Sequence, residues 1–260
     1  MGRSEHHIVL STPASSGLSG PVLRALSTAR EALEAAGYGT VAPGPEPRAQ
    51  LHVDETIAGR PASGLADFFS LAAPRAQDFG ARLGGPVGRI VLPVMPYDLL
   101  YPKLWRQQAQ RVAMPDFAQI APELAGRSRG WVALAQDILA AFAPRELIVL
   151  PMPQGADEIL AALLPDLALT VGAGAARPAM PDTAIAMMQR FHRAGLALPA
   201  RQIARLVQFH ARQPQPAPLA AFDALDAARL RKRYQADLSQ LAALPGLRIA
   251  QETCLPLAAE

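Results

Sequence analysis

Between Ser11 and Gly20 the chain holds four serines, one threonine, one proline and two glycines, directly after the apolar run His7-Ile8-Val9-Leu10. Hydroxyls and glycines in such a loop can bind an anion when the loop empties into a helix, because the first N–H groups of a helix lack acceptors and its dipole is positive there. From Leu18 the apolar positions Leu18, Val22, Leu26, Ala29, Leu33 and Ala36 recur with helical spacing; Ser19 is suited to cap that helix, Pro21 fits its first turn and Gly37 ends it. Ser15, Ser16, Gly17, Ser19 and Gly20 are therefore the candidate anion ligands. The run contains no lysine and does not match GxxxxGKS/T, so the same letters also fit an ordinary strand-to-helix loop.

Other chemistries find little in the chain. His6 and His7 precede the first strand, His192 and His210 fall on helical segments divided by Pro199, and no His, Cys, Asp or Glu group has metal-ligand spacing. No GxSxG elbow occurs, and Cys254 has no partner recognisable by spacing. The Gly172-Ala173-Gly174-Ala175-Ala176-Arg177 loop lacks the third glycine of a dinucleotide fingerprint and runs into prolines, so it reads as a linker.

The elements that must position the serine loop alternate along the chain. Ala49 to Val53, Arg89 to Pro93 and Glu146 to Leu150 read as strands; Leu99 to Val112, Ser128 to Phe142 and Gln154 to Leu164 read as helices. Such alternation implies a parallel sheet covered by helices. In the Ser128 segment Ser128 reads as the cap, and Trp131, Leu134, Ile138 and Phe142 share a face suited to the core. After Pro181 come three helical segments, Asp182 to Ala194, Ala200 to Arg212 and Asp223 to Leu244, separated by prolines. The expectation is one α/β domain over 1–260, with a sheet-forming core in 1–170 and a helical flank in 181–245.

Composition sets limits. With 260 residues, half of them apolar, the chain can bury a sizeable core. The formal charge is only +3, and the basic residues are scattered, Arg231-Lys232-Arg233 being the one dense group and reading as a solvated helix face, so a nucleic-acid footprint is not expected. No apolar run reaches the length of a membrane span, and the single cysteine cannot form an internal disulfide, which together suggest a cytoplasmic protein.

The order of elements, the stretch Arg30-Glu31-Ala32-Leu33-Glu34-Ala35-Ala36-Gly37, and the late Phe222-Asp223 with Leu230-Arg231-Lys232-Arg233-Tyr234-Gln235-Ala236-Asp237-Leu238 resemble the bacterial sulfotransferase-like P-loop proteins over nearly the whole chain. That resemblance implies a three-layer P-loop-type α/β fold with a helical C-terminal region. It also implies 3′-phosphoadenosine 5′-phosphosulfate as sulfuryl donor and a small-molecule or glycan hydroxyl as acceptor. Ser16 stands where the family has its loop lysine, Met95 where an arginine holds the 3′-phosphate, and Lys103 where a serine does; Ser19 keeps a hydroxyl at a threonine position. Lys103, and Arg106 about one turn on, restore positive charge beside the nucleotide. Leu51-His52-Val53-Asp54-Glu55 resembles the strand that leads into the family's acidic pair, which makes Glu55 the candidate general base, with Asp54 or His52 behind it. If an arginine replaces the missing lysine, Arg24, Arg60 and Arg106 are the candidates, whereas a pocket filled by Met95 and Pro13 would exclude catalysis.

Two functions follow: a sulfuryl transferase with an altered cofactor pocket, or a catalytically silent relative that binds an anionic ligand or a partner. Pro61 to Gly88 is expected to form a lid or specificity segment.

Overall fold

Buried apolar strands alternating with amphipathic helices produce one all-parallel sheet of six strands: β1 (Glu5–Leu10), β2 (Tyr38–Thr40), β3 (Ala49–Asp54), β4 (Val87–Val94), β5 (Glu146–Pro151) and β6 (Leu247–Ile249), in the order β2-β3-β1-β4-β5-β6. The computed structural model describes residues 5–40, 49–58, 65, 68–153, 155–169, 171, 180–215 and 217–250. The described helices are α1 (Ser19–Thr28), α2 (Arg30–Ala35), α3 (Ala72–Leu83), α4 (Tyr97–Ala109), α5 (Phe117–Ala125), α6 (Trp131–Phe142), α7 (Ala156–Leu163), α8 (Asp182–Arg193), α9 (Ala200–His210) and α10 (Ala224–Ala242).

The pleat divides the core into two layers. Ile8, Leu10, Ile90, Leu92, Val94, Leu147 and Val149 face α3, α4, α5, α6 and α10. Val9, Leu51, Val91, Ile148 and Leu150 face α1, α2 and α7. Helices on both sides explain why β1, β4 and β5 are buried almost throughout and read as apolar runs. The expected α/β architecture with a helical C-terminal region is therefore present, and β6 ties that region back to the sheet by pairing with β5.

Several local expectations are corrected. The first helix is two, joined at Ala29, where ψ is 16°, and it begins at Ser19 itself with Leu18 in the cap position. Ser19 does not cap because its hydroxyl pairs with Ser11 Oγ at 2.8 Å. The hydroxyl cap lies upstream: Thr12 and Ser15 cap the short 3-10 turn Pro13–Ser15 reciprocally. Gly37 ends α2 with φ at 84°, as its position requires.

Ser128 caps nothing; α6 begins at Trp131, whose N–H donates to the Tyr97 hydroxyl at 2.8 Å. The carbonyls of Ser128 and Arg129 are held by Arg233, which keeps that stretch out of the helix. Arg231 and Arg233 are thus not merely a solvated face: Arg231 Nε donates to the buried Asp98 at 2.7 Å.

The segment before β4 is no lid over its described part, because Leu65, Phe68 and Phe69 are buried and α3 packs against α6. Val87 and Gly88 belong to β4. Arg60, Pro61 to Gly64, the Gly172 to Arg177 loop and Cys254 lie outside the described residues. No described helix is long and apolar enough to cross a membrane.

Candidate functional site

Beyond the carboxyl end of β1, residues Ser11 to Ser19 wrap around a cavity of about 340 Å³ that is completed by Glu55 just past the end of β3, by Gln107 from the last turn of α4 and by Arg111 from the turn that follows it, the helix expected to run to Val112 ending at Ala109. The floor is fixed by two bonds to neighbouring strands. The Ser11 N–H donates to the Asp54 carbonyl at 2.7 Å, and the Thr12 hydroxyl donates to the Pro93 carbonyl at 2.7 Å. Proline is tolerated inside β4 because β1 pairs with that strand only as far as Val9 opposite Val91.

The loop's hydroxyls divide by role. Ser15 is buried, and its Oγ accepts from the Thr12 N–H and donates to the Thr12 carbonyl, each at 3.1 Å, so it shapes the turn. Ser16 is exposed, and its Oγ accepts from Gln107 Nε2 at 3.0 Å. Gly17 has φ of 87°, a conformation that glycine adopts without strain and that redirects the chain into α1. Among the described residues, no acceptor is bonded to the amides of Gly17, Ser19 and Gly20. Gly20 itself lies beside the cavity rather than in its lining, and Arg24 folds back towards it, with Nη1 at 3.5 Å from where a Cβ on Gly20 would stand.

The carboxylates also separate. Asp54 is buried and caps the turn after β3, its Oδ1 accepting from the amides of Thr56 at 2.8 Å and Ile57 at 2.6 Å, which occupies it structurally. Glu55 is exposed on the cavity wall. His52 points to the other face of the sheet, where its Nε2 meets His6 Nδ1 at 3.0 Å beneath Phe79. Burial, reinforced by His6, lowers the His52 pKa to about 4. Among the described residues no three His, Cys, Asp or Glu side chains gather as metal ligands.

The cations expected at the site are rearranged. Arg106 is taken by Asp182 and by the Met180 carbonyl at 2.8 Å, on the side of α4 that faces α8. Lys103 is partly buried outside the cavity lining, and burial lowers its pKa. Met95 is buried in the core rather than in the cavity; Pro13 lines the cavity and does not fill it. The arginine in the cavity lining is Arg111, exposed and with no ion-pair partner among the described residues, whereas Arg24 approaches the loop only at Gly20. Lys103, Gln107 and Arg111 recur every four residues, the spacing of one helix face, so this signal is present in the sequence although only Lys103 is marked by the family resemblance.

Chemically, the cavity offers free amides at a helix N-terminus, hydroxyls, one guanidinium and one carboxylate. Comparison with family models, with curated proteins and with solved structures finds no match to this chain.

Proposed function

We propose that this chain binds the phosphate or sulfate group of a small-molecule ligand in the cavity at the carboxyl end of β1, in keeping with a cytoplasmic, catalytically silent sulfotransferase-like protein. The observation that carries this reading is the convergence of the unbonded Gly17 and Ser19 amides and the unpaired Arg111 on one cavity. A tetrahedral oxyanion there gains amide hydrogen bonds, the helix dipole and a guanidinium fork that matches its oxygens. The ends of β1 and β4, whose following connections leave in opposite directions, are also where open parallel sheets place ligands.

Glu55 favours a second reading, sulfuryl transfer from 3′-phosphoadenosine 5′-phosphosulfate. In it the Glu55 carboxylate takes the proton of the acceptor hydroxyl, the acceptor oxygen forms a bond to sulfur, and the sulfur–oxygen bond to the 5′-phosphate breaks with its electron pair left on the phosphate. Arg111 would supply the positive charge that a loop lysine supplies elsewhere, while Arg106 is already committed to Asp182.

Calorimetric titration with inorganic phosphate and with 3′-phosphoadenosine 5′-phosphate tests both. Saturable binding weakened by Arg111→Ala and Ser19→Ala is expected; no heat with either compound at millimolar concentration would overturn the anion site. Binding of phosphate without any gain from the nucleotide would remove the transferase reading and leave the binding one.

A further inference from the structure

Arg111 lines two cavities. Besides the serine-loop cavity it borders a cleft of about 290 Å³ between the end of α4 and the α8–α9 hairpin, walled by Met188, Phe191, Leu198 and Ile203. The cleft is held open by a built joint: Gln189, buried in α8, donates to the carbonyls of Ala109 at 2.5 Å and Val112 at 2.7 Å, and accepts from the Met114 amide at 2.7 Å. Its far wall, α9, has no buried residue, so Ile203 is left half-covered where a core helix would be sealed. The cleft also holds His192, whose Nε2 is buried without a hydrogen-bond partner among the described residues.

A polar cavity and an apolar cleft that share one arginine fit a ligand with the same two halves. We infer, resting on the anion-binding reading above, that the ligand is a phosphate or sulfate monoester of an aromatic alcohol, its oxyanion on the Gly17 and Ser19 amides and the Ser19 hydroxyl, and its ring in the cleft between Phe191 and Ile203. Arg111 serves both parts, because a guanidinium pairs with an oxyanion through its N–H edge and stacks on a ring through its face. His192 Nε2 adds a hydrogen-bonding position for a heteroatom on the ring. Together the two cavities reach the volume range of small-molecule sites.

The experiment compares methyl phosphate with phenyl phosphate by calorimetry on the full chain, on Ile203→Trp, which fills the cleft from a half-exposed position, and on Ser19→Ala. Phenyl phosphate is expected to bind about tenfold more tightly than methyl phosphate, in line with burial of one ring. Ile203→Trp should abolish that preference and leave methyl phosphate unchanged, whereas Ser19→Ala should weaken both esters alike. Equal binding of the two esters would overturn the aromatic half while the anion site stands. A phenyl preference untouched by Ile203→Trp would overturn the cleft as its seat. Failure of both esters and of inorganic phosphate to bind would overturn the anion site itself and the inference with it.

Discussion

The two halves of α4 treat their polar groups in opposite ways. In the first half, Tyr97 donates to buried Asp237 and accepts from the Trp131 amide, Arg233 lies over its ring at 4.4 Å, and Asp98 holds Arg231. Gly130 is tolerated there for its missing side chain, since a Cβ would collide with the Tyr97 hydroxyl and crowd Asp237. In the second half Arg106 is taken by Asp182, but on the cavity side Gln107 meets an exposed serine, and Arg111, just past the end of the helix, meets nothing among the described residues. In the first region Tyr97 and Arg233 join α4, α6 and α10, while beside the cavity Gln107 Oε1 and the Arg111 guanidinium have no partner among the described residues. Completed networks mark structure, and incomplete ones beside a cavity mark a site.

The contrast can be broken at several points. Asp237→Ala strands the Tyr97 hydroxyl in the core and should cost about 3 kcal/mol of stability by urea denaturation, with phosphate affinity unchanged in the folded fraction. Burial holds the Tyr97 pKa above its usual value, so the pair stays intact across neutral pH. Equal loss of stability and affinity would show that the two halves of α4 are one unit.

The His6–His52 pair gives the next effect. The folded-state pKa of His52, about 4, lies below the unfolded value of 6.5, so the unfolded chain binds the proton first as pH falls. Stability should be level above pH 6.5 and decline by roughly 2 kcal/mol towards pH 4, allowing for partial solvent screening. Replacing His52 with glutamine should flatten that slope, as read by urea midpoints measured across the range. Arg111→Ala should cost the least in stability, within about 0.5 kcal/mol by thermal unfolding, yet weaken phosphate binding by about tenfold. A marked drop in melting temperature would give Arg111 a structural role instead.

Legibility from sequence follows the range of the interactions involved. The first strand, its loop and the stop at Gly37 are readable because Ile8-Val9-Leu10, the serines and the glycine act through neighbours. The edge strands Tyr38–Thr40 and Leu247–Ile249 are not, since three residues carry no period and pairing alone makes them strands. Local rules misplace the α6 start at Ser128 because its cap is Tyr97, remote in sequence. Glu55 is legible from its place at a strand end. Arg111 escapes notice although Lys103 does not, because only the packing of α4 against the Pro13–Ser15 turn brings its far end over the loop. Asp54 looks like chemistry in the sequence and is a turn cap in the fold, a distinction that depends on the amides of Thr56 and Ile57.

The bonds from Ser11 to Asp54 and from Thr12 to Pro93 stitch the loop across β3, β1 and β4. Their consequence is kinetic and entropic. A loop anchored at its base does not have to be gathered up when a ligand arrives, so little ordering entropy opposes binding. In hydrogen exchange the Ser11 amide should trade its proton slowly with or without ligand, whereas those of Gly17 and Ser19 should exchange freely until an anion covers them.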